Sequence, residues 1–415
     1  MKNLFLLFTL VTASFFASAS VSALSPKDLI MKRLPGEAYD SSSNSFLFSQ
    51  NKCVTEDLNN LIYVGENTGQ VSYYYDQSTE DVVHNLHLDG SGGVETWILG
   101  ASAHASLARE FSSSNTNLSL IYEYILQGKT AVVDRPVLSD LGIAMTQPNI
   151  LSAEKRKNCG DSFVSGIHLG ARFLVNAKLF FRDEATKNRF EVDASIEILK
   201  KTFTTTLVDQ SFQKVIHDAS IQVSAVQYGG SQTKFDEFIK TIGSSPSCSI
   251  SNLTPCKEYF QKLLTYSQTD FPNQLNDMKY SIQPGEGPIP LSYEFSQYSD
   301  LGFRNLDTTS DTPEKAEEIA QKDAAIEVQN KIDEEFQNNE RANQFLLNQS
   351  DFMLTTDQIN SIQTVAHKSQ TNLEILRTAQ SNCAFPDQKS CISSKTTAFS
   401  QLLDYDVSIL SPQRN

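Results

Sequence analysis

The sequence predicts an α+β fold in which a large, bent antiparallel sheet is followed by a C-terminal helical region. Two observations support this prediction. Between about residues 94 and 226 the chain contains long strand-like stretches with few hairpin signals, which favours one large sheet over many short strands. From about residue 312 onward the pattern changes to one that is typical of long helices.

Strands are predicted where apolar, β-branched or aromatic residues recur with a period of two. The predicted strands cover 94–104, 118–133, 171–181, 190–198 and 221–226. Within the third strand, one face is formed by Phe173, Val175, Ala177 and Leu179. A diglycine at 229–230 is expected to end the last strand, since glycine weakens strand pairing.

The helical region is expected to begin at Thr312 and Pro313, because threonine is a favoured N-cap and proline a favoured first helical residue. One helix is predicted to continue to about residue 348, and a second to span about 357–380. Their apolar stripes are thin and would bury little area if the helices stood alone. We therefore expect a helical hairpin that docks on the sheet domain.

The first 23 residues match a cleavable signal peptide. Lys2 supplies a positive start, and the apolar run over 4–16 is shorter than the roughly 20 residues of a membrane-spanning helix. Small residues follow, and cleavage is expected near Ala19 or Ala23. An uncleaved anchor is the alternative. We therefore expect a secreted protein.

The chain is acidic, with a formal net charge of -15 at pH 7. An acidic protein does not attract nucleic acid or anionic lipid through its overall field. The sequence contains no basic cluster that would overrule this. No nucleic-acid partner is expected, and any membrane contact would come from apolar or specific local groups.

No catalytic, cofactor-binding or metal-binding constellation stands out, so the chain is not expected to be an enzyme. Gly160-Asp161-Ser162 resembles the nucleophile block of GDS-type esterases. That class also needs a histidine three residues after an aspartate near the end of the domain, and no histidine here meets this condition. His84 and His87, with Asp81 and Asp89 nearby, leave a metal site open, but a solvated loop is the favoured interpretation.

Six cysteines in an exported chain predict disulfides. Two pairs enclose the same short spacing and are each expected to close a short loop, and the third pair would then join distant parts of the domain. The pairs are Cys248 with Cys256, Cys383 with Cys391, and Cys53 with Cys159. Other connectivities are possible for six cysteines. A zinc site is disfavoured, because there is no CxxC and no histidine at ligand spacing from a cysteine.

Residues 159–171 resemble the signature of the membrane-attack-complex/perforin (MACPF) family. Gly160, Phe163 and Gly170 occupy the positions that the family signature has. In the family a long strand follows this signature. The family residues are replaced at three places, by Cys159, by Asp161-Ser162 and by Ala171.

Three further stretches agree with the family in their order. They are Pro35-Gly36-Glu37-Ala38-Tyr39-Asp40 with Cys53 after it, residues 223–230 with their final diglycine, and Pro288-Ile289-Pro290-Leu291 with Tyr298 after it. The resemblance implies a divergent member of the MACPF/cholesterol-dependent cytolysin superfamily. It implies a domain over 28–305, whose twisted and sharply bent sheet is flanked by helices. Region 312–415 has no assigned counterpart.

Glycines are expected where such a sheet bends, because they tolerate unusual backbone angles and close contacts. The candidates are Gly166, Gly170, Gly229 and Gly230. The alternative is that these are ordinary turn glycines.

The resemblance implies pore formation. Soluble monomers of the family bind a target membrane or a surface receptor and self-associate into a ring. Two helical clusters per subunit then unfold into amphipathic hairpins, which complete a membrane-inserted β-barrel. Here 184–215 is long enough for two spanning strands and a turn. The residues that would face lipid are Val192, Ala194, Ile196 and Ile198.

The other candidate for such a cluster, 107–118, is too short and is expected to hold only a turn between two strands. A non-lytic secreted binding or adhesion protein on the same fold is therefore the second hypothesis. The conformation of 184–215 discriminates between the two. Helices there favour a protein that converts into a pore, and a settled β-hairpin favours the non-lytic protein.

Overall fold

The fold is described from a computed structural model. The described residues are 34–41, 45–47, 52–55, 61–86, 102–193, 200–201, 203, 219–249, 252–275, 279, 286–306, 316–349, 352–383 and 390–411. The predicted signal peptide, with its cleavage positions Ala19 and Ala23, lies outside them, as do Thr312 and Pro313.

Strands dominate the described residues up to Gln297, and they are numbered in chain order. They are β1 (Ala38–Asp40), β2 (Ser45–Phe46), β3 (Val54–Thr55), β4 (Ile62–Val64), β5 (Thr68–Tyr75), β6 (Asn117–Val132), β7 (Val137–Leu138), β8 (Ser162–Phe181), β9 (Ala219–Tyr228), β10 (Gly230–Ser231), β11 (Ser247–Ser249), β12 (Glu286–Gly287) and β13 (Ile289–Gln297).

Helices lie between several of these strands and form the C-terminal region. They are α1 (Thr79–Asn85), α2 (Ser102–Phe111), α3 (Asp140–Met145), α4 (Ser152–Cys159), α5 (Glu184–Asp193), α6 (Gln232–Ile242), α7 (Thr254–Thr269), α8 (Ala316–Leu347), α9 (Thr356–Asn382) and α10 (Cys391–Gln401). Short 3-10 helices lie at Pro272–Leu275, Tyr298–Leu301, Arg304–Leu306 and Val407–Leu410.

Four strands form the centre of a nine-stranded antiparallel sheet, in the order β5, β6, β8, β9. Consecutive long strands are therefore neighbours, as in a meander. β4 pairs with the C-terminal end of β6. Both β1 and β13 pair with the first part of β8, and β11 pairs with β9. The fold is thus α+β with one large antiparallel sheet, as the sequence predicts.

β8 changes its neighbour near its middle. Up to Gly170 it pairs with β13, and from Arg172 it pairs with β9. The register between β6 and β8 shifts at the same level, between Gln127 and Thr130. Bulges bend and twist a strand, so the sheet changes direction at this level. A Cβ atom on Gly170 would lie 2.3 Å from the Leu126 carbonyl oxygen, so the close approach of these strands requires glycine.

The two faces of the sheet differ in chemistry. One face is apolar and packs against α6 and α7 in the main core, which includes Tyr122, Phe173, Val223 and Phe260. Along each strand, every second side chain points to the other face. Its buried side chains include several polar ones, namely Ser119, Glu123, Arg172, Asn176 and Lys178. Helices α1 and α2 cover this second face through a smaller apolar cluster.

The C-terminal helices have a core of their own. Val328 and Ile332 of α8 pack against Leu373 and Leu376 of α9, and Ala398 of α10 joins them. A second cluster lies at the other end of the α8–α9 pair and includes buried residues of both helices. The α9 N-terminus is capped by Thr355, whose hydroxyl accepts a hydrogen bond from the backbone of Gln358.

The three disulfides join Cys53 to Cys159, Cys248 to Cys256 and Cys383 to Cys391, the pairs that the sequence predicts. The first closes 106 positions of chain and links β3 to the end of α4. The other two each close eight positions.

Most of the long elements are where the sequence places them. β6 and β9 match the predicted strands at 118–133 and 221–226, and α8 and α9 match the two predicted helices. β8 contains the strand predicted over 171–181 but begins earlier, at Ser162. The face formed by Phe173 and its alternate neighbours is buried in the main core.

Two predicted strands are wrong where they can be compared with the structure. The stretch 94–104 is helical from Ser102, and 190–198 is helical through Asp193. The remaining residues of both stretches lie outside the described part of the chain. Tertiary packing can override an alternating pattern. In α2, Leu107, Ala108 and Phe111 share one helical face and are buried, which decides the conformation there.

The description of 107–118 as only a turn between two strands is also wrong. The chain between β5 and β6 contains α1 and α2. The start of α1 does have a sequence signature, because Ser78 and Asp81 form a capping box.

Candidate functional site

Two long segments leave the same end of the central sheet. The first, 76–116, connects β5 to β6, and the second, 182–218, connects β8 to β9. Each is about 40 residues long, whereas neighbouring antiparallel strands need only two to about five residues to connect them. Asn117 lies opposite Phe180, so both segments begin and end at one level. We call them the first and the second connecting segment.

The described helices of the first connecting segment lie on the polar face of the sheet. Val82 and Val83 of α1, with Leu107 and Phe111 of α2, pack against a small apolar cluster that includes Leu174 of β8. This contact buries few side chains in comparison with the main core on the other face. The helices therefore depend on polar contacts as well as on apolar burial.

Polar side chains of β8 bind the C-terminal ends of these helices. Lys178 Nζ donates to the carbonyl oxygens of Arg109 and Glu110 at 3.3 and 3.2 Å. Asn176 Nδ2 donates to the Glu110 carbonyl oxygen at 3.0 Å. The Arg172 guanidinium donates to the carbonyl oxygen of Leu86, just after α1. Cations at helix C-termini satisfy the last carbonyls and interact favourably with the helix dipole.

The second connecting segment begins with α5, and its described part packs on the apolar side of the sheet. The ring of Phe190 lies 5.1 Å from that of Phe181, and the ring of Phe203 lies 5.1 Å from that of Phe260 in α7. Both phenylalanines of the segment are buried. The described parts of the two connecting segments thus pack on opposite faces of the sheet.

Asp183 caps the start of α5. Its Oδ1 accepts hydrogen bonds from the backbone and the hydroxyl of Thr186, both at 2.7 Å. Partial burial raises the pKa of Asp183, but the hydrogen bonds from Thr186 and the charges of Arg189 and Arg182 outweigh it. The pKa is therefore below its usual value.

Lys187 joins the two connecting segments. Its Nζ lies 3.0 Å from Asp76 Oδ1 and donates to the Ser114 carbonyl oxygen at 2.8 Å, so it contacts both ends of the first segment. It also pairs with Glu191 one turn away at 3.1 Å. The Lys187 side chain is only 10% exposed, and this shielding strengthens the ion pair with Asp76 relative to one in open solvent.

The predicted signature residues lie away from these helices, at the start and the middle of β8 and after β9. Phe163 is buried and packs on Tyr298, with the ring centroids 5.4 Å apart. The signature glycines lie before β8, within it, and after β9, at Gly160, Gly166, Gly170, Gly229 and Gly230. Gly229 and Gly230 have φ values of +76° and +74°, which other residues rarely adopt.

The predicted lipid-facing residues are mostly not described. Val192 belongs to α5, but its side chain is not described, and Ala194, Ile196 and Ile198 lie outside the described residues. Their proposed orientation toward lipid remains a prediction. Of the histidines considered as metal ligands, His84 lies in α1 and His87 lies outside the described residues. The described residues contain no group of three or more potential ligands that could hold a metal ion.

Sequence reasoning missed the charged residues that hold α1 and α2. Arg172 and Lys178 lie in a strand of mainly apolar residues, and both are buried. Charged residues are almost never fully buried unless they are paired. Two cations within a 20-residue strand of mainly apolar residues were therefore the available signal that this face binds something polar.

Comparison with known proteins gives a likeness of fold. No protein-family model matches the sequence, and no curated protein matches it. Among solved structures, stonustoxin matches 90% of this chain over 44% of its own length, with 10% identity and a TM-score of 0.40. A non-hemolytic pneumolysin from Streptococcus pneumoniae strain ST306 matches 60% of this chain over 42% of its own length, with 11% identity and a TM-score of 0.26.

A protein with a MAC/Perforin domain from Bacteroides thetaiotaomicron also matches. It covers 68% of this chain over 61% of its own length, with 11% identity and a TM-score of 0.26. The chain therefore spans less than two thirds of each of these structures. These likenesses concern the fold alone.

Across the described residues, the helices are all too short or too polar to cross a bilayer.

Proposed function

We propose that this chain is a secreted perforin-like protein that binds a target membrane and oligomerises into a β-barrel pore. The observation that carries the proposal is the pair of connecting segments, which both contain helices and both leave the same end of the sheet. A spanning strand needs about 9–11 residues, so a segment of about 40 residues can supply two strands and a turn. A closed barrel satisfies every backbone group of such strands within lipid.

The conformation of α5 supports the same proposal. The predicted lipid-facing stretch begins inside this helix. A helix at the start of 184–215 favours a protein that converts into a pore, whereas a settled β-hairpin there would have favoured the non-lytic protein. The same reasoning extends to α1 and α2 in the first connecting segment, whose length removes the objection that it is too short.

The chemistry of the sheet faces is also consistent with conversion. Departure of α1 and α2 would expose the face that carries Glu123, Arg172, Asn176 and Lys178. Polar groups can be hydrated after such a step, and a pore lumen is polar. Helices α6 and α7, which belong to neither connecting segment, would continue to cover the part of the apolar face on which they pack.

The ion pair between Lys187 and Asp76 gives a specific test of conversion. Through the pairing of β5, β6 and β8, Asp76 lies level with Lys178. If β8 continued as a strand, Lys187 would lie about 30 Å further along it, at about 3.3 Å per residue. The contact between Lys187 and Asp76 therefore belongs to the closed state alone.

Zero-length carbodiimide coupling turns this ion pair into an amide bond. The parent carries Glu191→Gln, which removes the carboxylate that competes for Lys187, and Lys178→Arg, which prevents coupling to Glu340. The matched control adds Lys187→Arg, which keeps the charge but cannot form the amide. We expect dye release from liposomes to fall at least tenfold for the coupled parent, with the link verified by peptide mass spectrometry. The coupled control should keep its release.

Release by the cross-linked parent at the full rate would exclude extension of the second connecting segment. Absence of release from every liposome and cell tested, by the uncoupled protein, would favour the second candidate. That candidate is a secreted, non-lytic binding or adhesion protein on the same fold. The observation in its favour is the set of ion pairs that hold the connecting segments closed.

A further inference from the structure

Helix α8 of the C-terminal region binds the first connecting segment directly. The Arg109 guanidinium of α2 pairs with the Asp333 carboxylate of α8, and Gln329 Nε2 of α8 also donates to that carboxylate at 3.1 Å. The Arg109 side chain is only 3% exposed and that of Asp333 is 22% exposed. A buried guanidinium cannot lose its charge, so it depends on this partner.

Lys178 holds α2 and α8 together. Its Nζ lies 2.8 and 3.0 Å from the carboxylate oxygens of Glu340 in α8. The same ammonium group donates to the carbonyl oxygens of Arg109 and Glu110 at the end of α2. A single cation of the sheet is thus shared by the two helices, and the movement of either helix changes its surroundings.

The contacts continue to the point where the second connecting segment begins. Arg341 of α8 donates to the carbonyl oxygen of Arg182, the residue after β8, at 2.6 Å. The Arg182 guanidinium donates to the Phe352 carbonyl oxygen, between α8 and α9. Gln344 of α8 donates to Gln222 of β9 at 2.8 Å. α8 therefore contacts α2 and also the end of β8 from which the second segment leaves.

The C-terminal helices share an apolar core of their own, the cluster that includes Val328, Ile332, Leu373 and Leu376. The contacts described above between α8 and the rest of the chain are ion pairs and hydrogen bonds, which water can replace. Separation at this interface would therefore leave a helical unit whose core is still covered.

We propose that α8–α10 form an intramolecular clasp that keeps the connecting segments closed and must leave α2 and β8 before they extend. The role of the clasp in pore formation rests on the proposed function. Its physical basis is the stabilisation of α2 by Asp333 and Glu340, and this does not depend on the proposed function. The clasp can therefore be tested on the soluble monomer, without a membrane.

The experiment compares amide hydrogen exchange in charge variants of the full chain. Asp333→Lys places a second cation beside Arg109, and Arg109→Glu places a second carboxylate beside Asp333. We expect exchange within 102–111 to accelerate at least tenfold in each variant. The combined variant Arg109→Glu/Asp333→Lys restores opposite charges and should recover most of the protection. The matched control is Glu327→Lys, because Glu327 lies on the same helix but pairs with Lys395 of α10.

Exchange within β8 and α9 shows whether a variant is folded. Acceleration confined to 102–111 and the start of 182–193, with rescue by the combined variant, supports the clasp. Unchanged exchange within 102–111 in both single variants overturns it, as does an effect of Glu327→Lys equal to that of Asp333→Lys. If the combined variant shows no rescue while β8 stays protected, the direct contact is not what holds α2, and the clasp is likewise excluded.

Liposome release then tests the link to function. If the protein releases dye, Asp333→Lys should shorten the lag before release, and the combined variant should restore it. If the lag is unchanged although exchange in 102–111 is faster, release of the clasp does not limit the rate of pore formation, and its proposed role in conversion is excluded. Absence of release from all variants would contradict the proposed pore, whereas the exchange result would still decide whether the clasp exists.

Discussion

Arg109 and Asp333 form a buried ion pair although they are 224 positions apart in the chain. The first belongs to a helix that connects two neighbouring strands, and the second belongs to the C-terminal helical region. The pair therefore joins the part of the sheet domain that is expected to move to the part that has no assigned counterpart in the family. Lys178 and Glu340 repeat this connection from the sheet itself.

Removal of the Asp183 cap should open α5 at neutral pH. Asp183→Ala deletes the acceptor of both hydrogen bonds from Thr186. Loss of an N-cap costs about 1 kcal/mol, which corresponds to roughly a fivefold increase in local opening. Amide exchange within 184–193 measures this change. Glu184→Ala, which removes a charge in the same turn but leaves the Thr186 hydrogen bonds in place, should have a clearly smaller effect.

The same cap predicts how α5 responds to acid. The pKa of Asp183 is lowered in the folded chain, because the hydrogen bonds from Thr186 and two arginines outweigh partial burial. A lowered carboxyl pKa contributes stability above the usual value of about 3.9, and this stability is lost as the pH falls through the lowered value. We therefore expect exchange within 184–193, corrected for intrinsic rates, to be level between pH 5 and 8 and to rise only below about pH 4. A sharp rise near pH 6 would contradict this account.

Gly170→Ala should destabilise the sheet where β8 changes neighbours. A Cβ there would lie 2.3 Å from both the Leu126 carbonyl oxygen and the Leu291 side chain. Overpacking against backbone costs about 1–3 kcal/mol, which chemical denaturation can measure. Gly166→Ala is the control in the same strand, because its Cβ would first meet the end of the flexible Glu294 side chain at 2.6 Å. Equal losses for the two variants would argue against a special constraint at Gly170.

Removal of the long-range disulfide should cost more stability than removal of a short one. Cys53 and Cys159 close 106 positions, and Cys248 and Cys256 close eight. In the chain-entropy description a loop of about 100 residues contributes about 4.7 kcal/mol, and short loops contribute less than about 3 kcal/mol. Thermal unfolding of the two double Cys→Ala variants under oxidising conditions makes the comparison. A larger loss from the short loop would show that strain or local packing dominates.

Trp97 offers a direct test of membrane entry by the first connecting segment. It is the single tryptophan of the chain and lies within 76–116. If this segment enters lipid, liposomes that support dye release should shift the Trp97 emission to shorter wavelength and protect it from aqueous quenchers. The Trp97→Phe variant, which has no tryptophan, gives the background emission of the protein and liposomes. Dye release without any change in Trp97 emission would show that this segment stays outside the bilayer.

Much of the architecture was predictable because it depends on local pattern or on covalent chemistry. The long strands at 118–133 and 221–226 and the two C-terminal helices have periods that persist over many residues, so tertiary context does not overturn them. The short spacing of Cys248 from Cys256, and of Cys383 from Cys391, likewise favours their pairing.

Tertiary structure decided the conformation of the connecting segments and the partners of the buried charges. The alternation at 94–104 and 190–198 favours strands, but packing on the sheet overrides it, and both stretches are helical in the parts that the structure describes. The sequence shows that Arg109, Lys178, Asp333 and Glu340 are charged, but a charge has no preferred partner along the chain. Only the folded sheet brings them within hydrogen-bonding distance, since ion pairing depends on separation in space and on exclusion of water.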